Sequence, residues 1–315
     1  MAAEFDVVCL GAPVADLIVR SLEELPPKST LRMVDAIDLR AGGTAYITAY
    51  VLARLGARTA MIGAVGNDQF GRFLEDELAA AGADCRGLVR HPTLGSTATV
   101  VVLDDRGDRT YIHAPGAAKA LTREDLPDEV LFAGKALHIG GALINHHLDG
   151  EPTAAILREA QARGILTSLD TSYDPTGRWH LVHPALPHLD VFAPGYPEAR
   201  MVAGLDDPAE IAAWARARGV TIAAIKLGEQ GVWMDGPGFT GHIPAVPVEA
   251  VDTTGAGESF DGGLLYGLVN NWPLERAARL AVAMGSRTVR AVGGVSGACS
   301  LEEALDFGGR ALRDT

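Results

Sequence analysis

The residues with the clearest chemical potential form one run, Asp252-Thr253-Thr254-Gly255-Ala256-Gly257-Glu258-Ser259-Phe260, which leads into an apolar stretch. Small side chains at Gly255, Ala256 and Gly257 let a ligand approach the backbone closely. A helix beginning there offers leading N–H groups without intrahelical partners, and with the helix dipole they form an anion site. A carboxylate at Glu258 stands where a general base would take a proton from an attacking hydroxyl, and the dipole favours its ionised form. A Gly-Ala-Gly triplet alone is an ordinary turn capped by Thr254. The whole run is far more specific.

Other candidates carry less. His146, His147, His180, His183 and His188 are closely spaced, but prolines surround the last three and no carboxylate or Cys stands at ligand spacing, so no metal site is expected. Cys9, Cys85 and Cys299 lie far apart and read as scattered thiols of a reducing compartment. No GxxxxGK[ST] loop is present, which excludes a P-loop ATPase. No GxGxxG follows the first strand, which leaves a dehydrogenase reading with only the strand–helix rhythm behind it.

The run needs a scaffold. Phe5–Leu10 reads as a buried strand ending at Gly11, and 12–41 mixes short apolar stretches with prolines and charges, as expected of strands and turns outside the main core. A helix opens at Gly42-Gly43 and stops at Gly56. Strand 59–65, a helix from Asp68 to Ala81, and a hairpin over 96–113 turning at Asp104-Asp105-Arg106-Gly107 follow. Beyond it the periodicity predicts strand 136–140, helix 152–163, strand 165–170, strand 189–193, helix 208–218, strand 221–227 and a hairpin over 232–243. Helices at 256–270, 274–290 and 301–312 close the chain. This alternation predicts an α/β fold with a mostly parallel central sheet flanked by helices. No low-complexity linker or repeat divides it, so residues 1–315 are expected to form one domain, with a small β lid from roughly 12–41 and 94–115.

The chain has 315 residues, 48% of them hydrophobic, 6% aromatic and 37 of them glycine, as in an aliphatic-packed α/β protein. Its formal charge is −13. Such a surface repels phosphate backbones, so no nucleic acid and no anionic membrane is expected as a partner. No run approaches a membrane span and no leader pattern opens the chain, so a cytoplasmic location is expected.

The 252–260 run resembles the C-terminal signature of the ribokinase/PfkB carbohydrate kinase family, whose usual form is Asp-Thr-x-Gly-Ala-Gly-Asp. Further blocks resemble the family in the right order: Gly11 with Asp16, Gly42-Gly43, Gly66-Asn67-Asp68-x-Phe70-Gly71, Pro115-Gly116-Ala117, Glu198 of an Asn-x-x-Glu pair, and Lys226-Leu227-Gly228-Glu229-Gln230-Gly231. The resemblance implies a ribokinase-like fold and an ATP-dependent, Mg2+-requiring kinase acting on a hydroxyl of a sugar or sugar-like molecule. It implies that Asp16, Gly42 and Gly43 hold substrate hydroxyls. Gly255, Ala256 and Gly257 would form the anion hole and Glu258 the base. Lys226, Gly228, Gly231 and Thr254 would border the nucleotide, and Glu198 would order hydrated magnesium. Asp252 and the loop 293–297 fall where many relatives bind a monovalent cation such as K+. The exposed lid strands imply a homodimer through the lid.

Four positions depart from the family. Glu258 replaces Asp, moving the carboxylate one methylene outwards. Gly195 replaces the Asn of Asn-x-x-Glu, Ile47 the substrate-facing Asn after the diglycine, and Ala118 the Asn of Pro-Gly-Ala-Asn. The first two bear on rate, the last two on which sugar fits. They support the alternative of a catalytically impaired ribokinase-like nucleotide- or sugar-binding protein.

Overall fold

A computed structural model describes residues 3–20, 22, 24–104 and 109–309. Residues 105–107 of the expected hairpin turn and 310–312 of the expected last helix lie outside the described residues. In chain order the strands and helices begin with Phe5–Leu10 (β1), Val14–Arg20 (β2), Ala36–Gly42 (β3), Thr44–Arg54 (α1) and Thr59–Gly66 (β4). Gln69–Ala80 (α2), Asp84–His91 (β5), Ala98–Leu103 (β6), Arg109–Ala114 (β7) and Asp128–Leu131 (α3) follow. Next come Gly134–Ala142 (β8), Glu151–Ala162 (α4), Leu166–Thr171 (β9), Val191–Phe192 (β10), Tyr196–Ala203 (α5), Pro208–Arg216 (α6) and Ile222–Lys226 (β11). Val232–Gly236 (β12), Phe239–Ile243 (β13), Ala256–Val269 (α7), Leu274–Thr288 (α8) and Leu301–Gly308 (α9) complete the order.

Among the described residues one large sheet runs β13-β12-β11-β10-β9-β8-β1-β4-β5. Its pairings from β11 through β5 are parallel, and only the β12–β13 hairpin joins antiparallel. Central strands of such a sheet are covered on both faces, which is why β1 and β4 are buried almost throughout. Val8, Leu10, Ile62, Leu137 and Ile139 pack against one helical layer, while Val7, Cys9, Met61 and Ala136 face α1, α2 and α7. Helix α7 is itself enclosed. A Cβ at Gly262 would meet Val51 of α1 at 2.7 Å, and one at Gly263 would meet Ala281 of α8 at 2.8 Å. These glycines let α7 sink between its neighbours, so its start is held rigidly.

The small sheet runs β3-β2-β6-β7. Strand alternation sorts it into two faces. Leu17, Val19, Ile37, Leu39, Val100 and Ile112 share one by register, with Ile37 64% and Ile112 48% exposed. Asp16, Ile18, Arg40, Thr99, Val101, Leu103, Arg109 and Tyr111 share the other.

Three elements exceed the sequence expectation, one of them the single-turn helix Asp128–Leu131. Asp84–His91 forms a strand at the edge of the large sheet, where one free side tolerates its polar composition. Tyr196–Ala203 forms a helix with Pro197 in its first turn, where proline's missing N–H costs nothing. The strand expected at 189–193 shrinks to Val191–Phe192, and the proline-rich segment before it winds into 3₁₀ turns over Trp179–His188.

Candidate active site

Helix α7 starts at Ala256 from Gly255, whose φ of 79° is left-handed and suits glycine. A Cβ at Gly255 would collide with the Gly294 carbonyl, so the late loop presses directly on this turn. No side chain caps the helix, contrary to a Thr254 cap; the Ala256 amide turns back to the Thr253 carbonyl at 3.3 Å, and the N–H groups that follow it are left for a ligand or water. Thr254 serves elsewhere, its hydroxyl accepting from Arg109 of β7 at 2.6 Å.

Beneath this helix start lies a buried charge cluster assembled from adjacent strand ends. Asp170 comes from β9, Gly195 and Glu198 from the segment after β10, and Lys226 from the end of β11. Crevices at the carboxyl ends of parallel strands are where such sheets bind ligands. Lys226 Nζ donates to Asp170 Oδ1 at 3.0 Å and to Asp261 Oδ2 at 3.2 Å. It stands 3.2 Å from where a Cβ on Gly257 would be. Burial alone would lower the Lys226 pKa, but Asp170 and Asp261 override it and leave it raised. Burial, with Asp170 nearby, pushes Glu258 and Glu198 above the usual carboxylate range, and Lys226 opposes both shifts. The helix dipole favours an ionised Glu258, whereas burial and the neighbouring Asp170 carboxylate pull the other way.

Asp16 lines the opposite side of the cleft, on the inner face of the small sheet. Burial pushes its pKa up to about 6, against a hydrogen bond from Thr99. A Cβ on Gly42 would collide with its carboxylate, which explains the glycine there. Gly43, with φ 98°, precedes α1 and packs on the Ala12 carbonyl.

The loop 252–257 separates two cavities. One, of about 120 Å³, includes Asp16, Arg40, Thr99, Arg109, Asp252 and Thr254 in its lining. The other, of about 530 Å³, is bordered by Lys226, Gly228, Gly231, Thr253, Ala256 and Gly257, with an apolar wall that includes Val246, Val248, Phe260 and Val282. Successive residues of one loop therefore face different chambers.

The departures acquire physical reasons. A Cβ at Gly195 would strike the Glu198 carboxylate, so the glycine makes room for Glu198 to fold back toward Lys226. Ile47 is a correction: it is 3% exposed, part of an apolar cluster with Val51 and Met284, and its Cδ1 packs behind Gly294 rather than facing a substrate. Ala118 clusters with Ala12 and Val14. The Asp252 carboxylate accepts from the Thr254 and Gly293 amides, each at 2.8 Å, and pairs with Arg109. Oδ1 is shared by the Thr254 amide and Arg109, while Oδ2 takes the Gly293 amide. Sequence reasoning missed Asp170, Arg40 and Arg109, which no local pattern marks, and Asp261, which was marked by its place one helical turn beyond Glu258.

A family model described as pfkB family carbohydrate kinase matches residues 4–300. The chain belongs to that family. This kinase is 34% identical to a fructokinase of Klebsiella pneumoniae over 250 residues, covering 76% of this chain and 80% of that protein. It is 28% identical to a 2-dehydro-3-deoxygluconokinase of Bacillus subtilis over 270 residues, covering 81% and 82%. Its fold is that of a putative ribokinase II from E. coli in its apo form, with a TM-score of 0.85, 24% identity, and coverage of 96% and 98%. Arabidopsis thaliana ribokinase, solved with ribose and ATP, aligns with a TM-score of 0.84 and 21% identity over 98% of this chain and 99% of that one. Among the described residues no helix is long and apolar enough to cross a membrane.

Proposed function

We propose that this kinase transfers the γ-phosphoryl of MgATP to a hydroxyl of a sugar-like acceptor, with the loop 252–257 as the wall between donor and acceptor. The observation that carries the reading is the pair of cavities sharing that loop. The larger cavity takes the nucleotide: its aliphatic wall suits a base, and the Gly228–Gly231 turn borders it. The smaller takes the acceptor, whose hydroxyls meet Asp16 beside Gly42 and Gly43. Glu258 removes the proton from the acceptor hydroxyl as its oxygen attacks the γ-phosphorus and the bond to the ADP oxygen breaks. Negative charge on the transferred group meets the backbone amides of Gly255, Ala256 and Gly257, of which Ala256 must give up its 3.3 Å bond to the Thr253 carbonyl.

Mg2+ binds through one or two carboxylates, waters and substrate phosphates rather than a protein cage, and neutralises developing charge. The donors present fit that habit: Glu198 stands with Asp170 and Glu258 in one group of carboxylates beside Lys226. Glu198 would hold the hydrated ion.

The small sheet acts as a lid, over roughly 12–41 and 94–115, on a single-domain chain. Its apolar outer face packs on a second copy to form a homodimer, and the location is cytoplasmic, in keeping with free thiols at Cys9, Cys85 and Cys299. Sedimentation tests the dimer: Ile112→Lys should shift a dimeric wild type to monomer, and a monomeric wild type at micromolar concentration would refute it.

Incubation with MgATP and a panel of sugars, nucleosides and sugar acids, read as ADP release, tests the chemistry. Glu258→Gln should lower kcat by roughly 10²–10⁴ while ATP binding persists. Near wild-type turnover in that variant would remove the base assignment. ATP binding with no turnover of any acceptor would favour the impaired alternative.

A further inference from the structure

Asp16 and Arg40 are direct partners on the β2–β3 ladder, with side chains on the same face. Opposite charges so placed normally pair. Among the described residues no ion pair joins these two. Asp16 lies against Gly42 and takes a hydrogen bond from Thr99. Arg40 instead runs across the cleft, its Cδ 3.7 Å from where a Cβ on Gly293 would be. Its acidic neighbour Asp38 stands 3.9 Å away and is held more closely by Arg20, at 2.9 Å. Among the described residues that long contact with Asp38 is the ion pair Arg40 makes, so its half-exposed fork at the mouth of the smaller cavity is only loosely held, whereas Arg109 is spent on Asp252 and Thr254.

The apolar part of the lining is Ile18, Val101 and Leu103, beside the hydroxyl-bearing Thr99, Tyr111 and Thr254. A sugar hydroxyl set against the three aliphatic side chains would be buried without a partner, which is costly. The cavity therefore has three zones: a carboxylate for hydroxyls, an apolar wall and a loosely held guanidinium. That guanidinium does not serve the nucleotide phosphates, since Arg40 is absent from the lining of the larger cavity across the loop. In a chain of net charge −13, Arg40 and Arg109 balance Asp16 and Asp252 in this lining, so carboxylates do not dominate the cavity.

We infer that the acceptor carries an anionic group, a carboxylate or a phosphate, which docks on Arg40 while a hydroxyl-poor part of its skeleton lies along Ile18, Val101 and Leu103. The planar fork of arginine binds either group through two parallel hydrogen bonds. This inference rests on the kinase reading above and narrows its substrate class.

The test measures ADP release with three groups of acceptors on wild type, Arg40→Gln and Arg40→Lys. Fructose and ribose are neutral, gluconate and 2-dehydro-3-deoxygluconate carry a carboxylate, and fructose 6-phosphate carries a phosphate. Wild type should favour one anionic group in kcat/KM, and the favoured arm identifies the anion. Arg40→Gln should cut the anionic-to-neutral ratio roughly 10- to 100-fold, chiefly through acceptor KM, and Arg40→Lys should restore part of it. A wild-type preference for the neutral sugars, or a ratio unmoved by Arg40→Gln, overturns the inference and leaves the kinase reading standing. If no acceptor is turned over, the kinase reading has failed. Calorimetry with the same compounds then decides the anion site: it stands only if an anionic compound binds more tightly than its neutral counterparts and Arg40→Gln removes the difference.

Discussion

The two walls of the cleft are built on opposite principles. Under α7, the charged groups come from the ends of parallel strands and a helix sunk between two others, and they are buried and tied to one another through Lys226. On the small sheet, charged groups project from strands of a thin layer whose far face is exposed and apolar, and Arg40 has no close partner. The first arrangement suits a part of the reaction that never changes, handling phosphate. The second suits the part that varies, the acceptor, because a side chain on a thin sheet can be exchanged without disturbing a core. Rigidity and selectivity are thus assigned to different sheets, and the loop 252–257 is where they meet.

That division fails if the cluster under α7 does not carry stability. Lys226→Met would leave Asp170 and Asp261 facing each other in a buried site, and breaking a buried pair by removing one partner costs about 3–5 kcal/mol. Urea unfolding should show a loss of that order. Adding Asp261→Leu should recover a good part of it, because the second change removes an uncompensated charge instead of a further contact. A loss below about 1 kcal/mol in Lys226→Met would mean that the ion pairs are incidental and the cluster is held by helix packing alone.

How much of this was legible in the sequence follows the same line. The start of α7 is a local pattern, small residues before an apolar stretch, and the structure places it as the spacing predicts. The βα alternation is likewise local, and it specifies the large parallel sheet. The charge cluster is not local. Asp170, Lys226 and Asp261 lie on two strands and a helix, and no spacing announces that they meet. Strands β2 and β3 read as irregular because each is half polar, and only pairing reveals that the charges share one face with Ile18, while Leu17, Val19, Ile37 and Leu39 take the other. Ile47 shows the limit of resemblance: a position that matches by order along the chain turns inward, because an aliphatic side chain there finds Val51 and Met284 to pack on.

The opposite wall should behave in the opposite sense, losing function while gaining stability, and Asp16 gives the clearest case. Burial raises its pKa from the ordinary 3.8 of an aspartate to about 6. A carboxyl whose folded pKa lies above its unfolded value binds more protons when folded, so its contribution to stability falls as pH rises from about 4 to about 6 and stays unfavourable above that. Asp16→Asn removes the titration while keeping the shape. The variant should gain on the order of 1–3 kcal/mol over wild type at pH 8 and gain little or nothing at pH 3.5. Acceptor binding should move the other way. Wild-type affinity should weaken as pH drops through about 6, because a neutral carboxyl accepts hydrogen bonds less strongly, and Asp16→Asn should bind the acceptor weakly without that pH dependence. Thermal unfolding at the two pH values, read beside acceptor KM, measures both halves. A variant destabilised at pH 8, or one whose acceptor KM equals that of wild type, would place Asp16 among the structural groups and erase the contrast between the two walls.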